Sequence, residues 1–335
     1  MTDTEIEMRV SRALATRMGE VIGLSGKAFQ KKVDELTAFG DEVRQSLKKE
    51  HNIRHTSSGG IFSPASLADY IGQDKAKKIG MVIVQAAKIE NRPLPHIMLT
   101  GGFGQGKTTL AKLLVELSGT TPIIVDGMSA NKGLPSTNAP IIIDEIHNLD
   151  PEVSDSLHIR MDSGAISIIG CTTDPGELTA PFRSRFRYIH LEPYTLANIV
   201  TILDNACKRK GVIVTKVILK DIALRSRLTP RLALNYLAMI FDMMAVRKES
   251  IMSKEVIAQT FESLGIDNSG FSDIDYKYMR ALPEDRPVGL QYLSAMLGVD
   301  DKTIEQEIEP YLMQRGLIDR TRSGRVKVKE IDGTA

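Results

Sequence analysis

His96-Ile97-Met98-Leu99-Thr100-Gly101-Gly102-Phe103-Gly104-Gln105-Gly106-Lys107-Thr108-Thr109 decides the fold: a short apolar run breaks into glycines and reopens as Leu110-Ala111-Lys112-Leu113-Leu114. Gly101, Gly106, Lys107 and Thr108 satisfy G-x-x-x-x-G-K-[ST] in the strand-to-helix setting that a phosphate loop requires. Glycines let successive N–H groups turn inward around a phosphate, where a Cβ would obstruct them. The helix N-terminus adds its dipole and unpaired donors. The spacing therefore predicts that the loop from Gly101 through Gly102, Phe103, Gly104, Gln105 and Gly106 to Thr109 cradles a triphosphate. Lys107 would reach the β- and γ-phosphates, and the Thr108 hydroxyl would ligate Mg2+.

Working outward, the runs Pro122-Ile123-Ile124-Val125, Ile141-Ile142-Ile143, Ile166-Ser167-Ile168-Ile169-Gly170-Cys171 and Tyr188-Ile189-His190-Leu191 alternate with helical stretches. Short β-branched runs of this kind predict a parallel sheet covered on both faces, with ligands collecting at the carboxyl ends of its strands. The third strand ends in Asp144-Glu145-Ile146-His147. Asp144 can hold Mg2+ through its water shell, and Glu145 can polarise the water that attacks the γ-phosphate. His147 reads as a hydrogen-bonded structural residue. Cys171-Thr172-Thr173-Asp174 closes the fourth strand with two hydroxyls placed to meet the γ-phosphate or its attacking water. In Pro181-Phe182-Arg183-Ser184-Arg185-Phe186-Arg187 the arginines read either as a solvated face or as a guanidinium supplied to a neighbouring subunit's γ-phosphate. Arg231, after Thr229-Pro230, opens a helix and could reach the phosphates of its own subunit.

Length and composition frame this core. A chain of 335 residues is expected to form two or three domains, and 42% hydrophobic with 25% charged residues is the balance of a soluble globular protein. No apolar run spans a membrane and the N-terminus lacks a leader pattern, so a cytoplasmic location is expected. The two cysteines, Cys171 and Cys207, have no metal-like spacing and read as core residues. A net charge of +1 confines any DNA-binding surface to a local patch.

Residues 1–50 read as two amphipathic helices, with Ile6, Val10, Leu14, Met18 and Val21 on one and Phe29, Val33, Leu36, Val43 and Leu47 on the other. Their apolar faces could pack in cis, against a second copy or against a different protein. A polar, glycine-ended linker follows to residue 60. The expected division is an N-terminal helical extension and linker over 1–60, a nucleotide-binding domain over 61–191, a helical lid over 192–265 and a winged helix over 266–330.

Within the lid, Lys208-Arg209-Lys210-Gly211 reads as a basic helix end with a glycine cap, or else as a DNA contact. In the last segment, Leu290 to Gly298 and Ile304 to Glu309 predict a helix-turn-helix, followed by a hairpin turning at Ser323-Gly324. From Arg315 to Lys329 there are six basic residues against one acidic. The second helix is acidic, so DNA contact is expected on the wing, through phosphates, at Arg320, Arg322, Arg325 and Lys327. The other reading is a solvated edge hairpin.

The order of motifs resembles the AAA+ ATPases, and more narrowly the RuvB-type Holliday-junction branch-migration motors of bacteria. Tyr70-Ile71-Gly72-Gln73 resembles the nucleotide-base motif of that family, Asp144-Glu145-Ile146-His147 its Walker B stretch, Thr173 its sensor 1 and Thr229-Pro230-Arg231 its sensor 2. Pro181-x-Arg183-x-Arg185-Phe186 resembles the segment holding its arginine finger, with Arg185 favoured over Arg183. Leu264-Gly265-Ile266-Asp267, Arg286-Pro287-Val288-Gly289-Leu290 and the run from Glu309-Pro310-Tyr311-Leu312 to Gly316-Leu317-Ile318 carry the most family-specific likeness. It covers about residues 62–330.

The resemblance implies an ATP- and Mg2+-dependent homo-oligomer, expected to be a hexameric ring, moving double-stranded or branched DNA. The competing readings are a clamp or helicase loader acting as an ATP switch, and a DNA-binding regulator whose ATPase controls assembly. Three features depart from the family pattern. Gly102-Phe103 stands where two prolines are usual, and Ser63-Pro64 where arginine-proline is expected. The β-hairpin that docks the junction-binding partner between Glu145 and Thr173 is absent. Residues 1–50 are expected to replace that hairpin as a protein-partner module.

Overall fold

The structure, a computed structural model, describes residues 61–328 apart from 136, 138 and 285. The expected N-terminal helices and linker lie outside the described residues, as does Lys329. Helix α1 (Asp74–Ile89) leads to β1 (Ile97–Thr100), the phosphate loop and α2 (Lys107–Ser118). Then come β2 (Ile123–Asp126), a short α3 (Gly127–Ala130), β3 (Ile141–Asp144), a 3-10 turn, α4 (Pro151–Asp162), β4 (Ile168–Thr172), a short α5 (Ala180–Arg183) and β5 (Arg187–His190). The five strands are parallel in the order β2-β3-β4-β1-β5.

Successive strand side chains point to opposite faces, and here both faces are covered. Ile97, Leu99 and Ile142 pack with α1 and α2 residues such as Val84 and Leu114. Met98, Ile141 and Ile143 pack on the other side with Leu157, Met161 and Phe182. A triple-isoleucine strand is stable only when neither face meets water, since each fully buried isoleucine contributes about 1.5 to 3 kcal/mol. Between β3 and β4 the chain passes only through the 3-10 turn Ile146–Asn148 and α4, with no β-hairpin among the described residues.

The lid is helical: α6 (Leu196–Lys210), α7 (Lys216–Arg225), α8 (Pro230–Val246) and α9 (Lys254–Ser263). A Thr195/Asn198 capping box opens α6, and Gly211, with φ 74°, closes it. Lys208 pairs with Asp204 at 2.7 Å. The basic cluster thus ends a helix, as the capping alternative expects. Both cysteines are free and buried, and burial pushes the Cys207 thiol up to about 12.

The last unit comprises α10 (Asp273–Ala281), α11 (Leu290–Leu297), α12 (Asp301–Thr303) running through a π-helical turn into α13 (Glu309–Gln314), and the antiparallel pair β6 (Ile318–Thr321) and β7 (Gly324–Lys327). Its own core gathers Tyr278, Leu293, Ile304, Leu312 and Ile318. The hairpin turns at Arg322-Ser323, one residue before the expected pair, because Gly324 already pairs with Thr321 in β7. No helix of the described residues is long and apolar enough to cross a membrane.

Candidate nucleotide site and wing surface

Lys107, Asp144, Glu145 and Thr173 come from three separate strand ends that the parallel register brings to one edge of the sheet. The Lys107 ammonium is buried and donates to the carbonyls of Gly101 and Gly102, at 3.0 Å each. Burial pulls its pKa below the ordinary lysine value against the attraction of Glu145 and Asp144, and Arg231 adds to the lowering. Thr108 Oγ1 donates to Asp144 Oδ1 at 2.9 Å. Two Mg2+-type oxygen donors are therefore adjacent before any ion arrives. Gln105 closes the loop by accepting from the Gly102 N–H at 2.9 Å.

Glu145 sits in the left-handed region, φ 48°, at the strand-to-turn junction. Its Oε2 is buried without a hydrogen bond, 3.4 Å from His147 Nδ1. His147 Nδ1 in turn meets Thr172 Oγ1 at 2.9 Å. The two strand-end threonines thus separate. The Thr172 hydroxyl is committed to His147 and to the Asp174 N–H, whereas the buried Thr173 Oγ1 has no partner. Orphaned buried oxygens on Glu145 and Thr173, beside a lysine and a hydroxyl-carboxylate pair, fit a bound triphosphate with its cation and attacking water. From its sequence position His147 is expected to be structural, with nothing to link it to Glu145. The link arises because a 3-10 turn folds residue 147 back against β4.

A cavity of about 150 Å³ is lined by Phe103 to Thr109, Asp144, Glu145, Pro230, Arg231 and Leu234. The start of α8 is pressed onto the loop. A Cβ built on Gly104, whose φ is +69°, would lie 2.8 Å from Thr229 Cγ2 and 3.0 Å from Arg231 Cβ. Only a residue without a side chain fits both that conformation and that approach. The Arg231 guanidinium lies 4.6 Å over the Phe103 ring. Tyr70 is buried and donates its hydroxyl to the Gly106 carbonyl at 3.2 Å, and burial raises its pKa far above the usual phenol value. Beyond Ile71, Gln73 exchanges hydrogen bonds with the Glu192 backbone at 2.7 and 2.9 Å, tying this motif to the end of β5.

The paired arginines differ. Arg185 is held by Asp162, with Nε to Oδ1 at 2.8 Å and Nη2 to Oδ2 at 2.5 Å, which keeps the Asp162 carboxyl below its ordinary range. The Arg183 side chain has no such pair among the described residues.

The wing arginines also divide, and here the structure redirects the sequence reading. Glu309 is fully buried and receives Tyr278 Oη at 2.7 Å, Arg325 Nε at 2.9 Å and Arg320 Nε at 2.5 Å. Glu305 receives Arg325 Nη2 at 2.7 Å. The acidity of the second helix therefore neutralises the wing's own arginines, a pairing invisible without the three-dimensional fold. Burial works against the Arg325 charge, and the hydrogen bonds and attraction of Glu309 and Glu305 outweigh it. Arg325, 13% exposed, is turned toward the two glutamates, whereas Arg320, though paired with Glu309, stays at the surface with Arg322 at the turn and with Lys327, 3.7 Å from Glu284.

Residues 62–169 match the Holliday junction DNA helicase RuvB P-loop domain, 194–267 the RuvB AAA lid domain and 268–330 the RuvB C-terminal winged helix domain. The chain is similar to the Holliday junction branch migration complex subunit RuvB of Pseudothermotoga lettingae, 33% identical over 78% of this chain and 86% of the relative. The Campylobacter concisus subunit is 34% identical over 78% and 88%. The solved Thermotoga maritima RuvB Holliday junction branch migration motor superposes with a TM-score of 0.74 at 33% identity, over 81% of this chain and 96% of that one. Sequence match over three consecutive domains, the shared fold and the phosphate-loop geometry agree: the chain belongs to the RuvB family of AAA+ ATPases.

Proposed function

We propose that this chain is an ATP-driven motor that migrates Holliday junctions in recombination and repair, working as a homo-oligomeric, hexameric ring on double-stranded or branched DNA. The observation that carries the reading is the meeting of Lys107, Thr108, Asp144, Glu145 and the unpartnered Thr173 hydroxyl at one sheet edge, in a chain of the RuvB family.

Tyr70 and Ile71 bound the base side of the nucleotide, and residues 101–109 wrap its phosphates. Thr108 and Asp144 would hold Mg2+, which when bound neutralises phosphate charge. Glu145 takes a proton from a water while Thr173 steadies that water or the γ-phosphate. The water oxygen bonds the γ-phosphorus and ADP leaves with the former bridging oxygen. Arg231 meets the phosphates from the lid of the same subunit. Arg185, on release from Asp162, or else Arg183, extends to the neighbouring subunit's γ-phosphate. Movement of the lid against the sheet then passes to the winged helix, where Arg322 and Lys327 meet DNA phosphates without reading bases. Partner recruitment falls to residues 1–50, because the route from β3 to β4 carries no hairpin.

The deciding experiment follows migration of a synthetic four-way junction by the purified full chain, with Lys107→Ala as the inactive control. ATP-dependent migration supports the motor, and Glu145→Gln should bind ATP and assemble on DNA without turnover. ATPase stimulated only by a clamp or helicase, with junctions left in place, would reject the motor in favour of a loader. Deleting residues 1–50 should abolish partner recruitment and leave ATP hydrolysis intact.

A further inference from the structure

Arg231 makes no hydrogen bond or ion pair with any described residue, and the contact that fixes its guanidinium is the face of Phe103, 4.6 Å away. Phe103 itself lies in the phosphate loop, three residues before the glycine that precedes Lys107, and both side chains line the phosphate cavity. A guanidinium held over a ring gives that ring none of its N–H hydrogen bonds and keeps those donors for another acceptor. The ring offers no oxygen or nitrogen to compete for them. Gly104, next in sequence, fixes the spacing by letting Thr229 and the Arg231 stem approach the loop backbone. The cation is thus close enough to Lys107 to depress that lysine's pKa, yet its donors are unspent.

We propose that Phe103 is a positioning residue for nucleotide binding: its ring face holds the Arg231 guanidinium at the phosphate cavity with the donor edge presented to the incoming polyphosphate. Stacking and phosphate binding use different parts of the same group, so the contact persists when the nucleotide arrives. It spares the lid the ordering of a long side chain at that moment. The inference rests on the reading that Arg231 touches the phosphates, and the test separates the two.

The experiment measures ATPγS binding to the full chain by titration calorimetry for wild type, Phe103→Leu, Arg231→Ala and the double variant. Phe103→Leu keeps apolar bulk and removes the ring face. It should weaken ATPγS roughly three- to tenfold, the range expected of a partly exposed cation–π contact. In the Arg231→Ala background the same substitution should change binding less than about twofold. Equal losses in both backgrounds would overturn the Phe103 proposal and leave the Arg231 assignment standing. Full affinity in Arg231→Ala would instead remove the assignment on which it rests.

A second readout does not depend on nucleotide. The chain contains no tryptophan, so Phe103→Trp installs a single reporter at the stack. Adding Arg231→Ala to that variant should shift the tryptophan emission in the nucleotide-free protein. Emission unchanged by loss of the arginine would show that no stack exists in solution and overturn the proposal.

Discussion

The division of the wing arginines makes opposite predictions for two residues three positions apart, and Arg325→Ala set against Arg322→Ala tests it. The Arg325 side chain is 13% exposed and the carboxylate it meets, Glu309, is at 0%. Removing one partner of a buried pair typically costs about 3 to 5 kcal/mol, because the other charge stays buried. Glu309 keeps Tyr278 and Arg320 as donors, so the lower end applies. About 3 kcal/mol in a unit of this size lowers its melting temperature by at least about 10 °C. The salt dependence of duplex binding should not change, since a guanidinium turned toward Glu309 releases no counterions from DNA.

Arg322→Ala should do the reverse: an unaltered melt, with the slope of log affinity against log salt reduced by about 0.9 for one lost phosphate contact. Calorimetric melting and duplex binding titrated over a range of salt, below the variant's transition, supply both quantities. A thermally unaltered Arg325→Ala with a flattened salt slope would refute the internal-neutralisation argument and return Arg325 to the DNA surface.

Three other outcomes follow from the geometry. Gly104→Ala adds the left-handed penalty of roughly 1 to 2 kcal/mol to a 2.8 Å clash with Thr229, so ATPγS affinity should fall about tenfold; unaltered calorimetric binding would mean the lid does not rest on the loop. Arg227 donates to the fully buried Asp275 and lies 4.5 Å over Tyr311, joining the residues just before Thr229-Pro230-Arg231 to the winged helix. Asp275→Ala should therefore cost about 3 to 5 kcal/mol of stability by denaturant unfolding, and a loss under 1 kcal/mol would show the link is slack.

His96 concerns pH. Its Nδ1 accepts from the Ile168 N–H at 3.1 Å, and burial lowers its pKa against the hydrogen bond to the Met161 backbone. A lowered histidine pKa means that the unfolded chain binds the proton first, so stability is full above the ordinary value of about 6.5 and declines as pH falls from there to the lowered folded value. Comparing unfolding free energies of wild type and His96→Gln across that window checks the sign. A parallel decline in both proteins would clear His96 of the effect.

Much of the nucleotide site is local in sequence. The phosphate loop, the carboxylates after an isoleucine strand and the strand-end threonines are each dictated by contiguous chemistry: glycine conformations, a strand buried on both faces, a helix start. The parallel sheet follows from the alternation of short β-branched runs with helical ones, and Gly211 ends its helix where a left-handed residue is wanted. The winged-helix elements were legible for the same reason, with the hairpin turn displaced by one residue.

Side-chain partnerships across long separations are a different matter. Composition could mark a basic wing and an acidic helix, but whether those charges face solvent or each other depends on how α13 and the hairpin pack. Packing ties Arg325, and in part the still exposed Arg320, to Glu309 and Glu305. Likewise, Thr172 and Thr173 are equivalent as letters, and only the pleat and the 3-10 turn after β3 sent one hydroxyl to His147 and left the other open. Phe103 departs from the family pattern in sequence, and the lid helix sets Arg231 against its ring. Fold, phosphate-binding loop and acidic pair are thus written in the order of the residues, because backbone conformation and burial act through neighbours in the chain. Which arginines, threonines and histidines are spent on one another is settled by packing, because charges and hydroxyls are satisfied through space by whatever folding brings within about 3 Å.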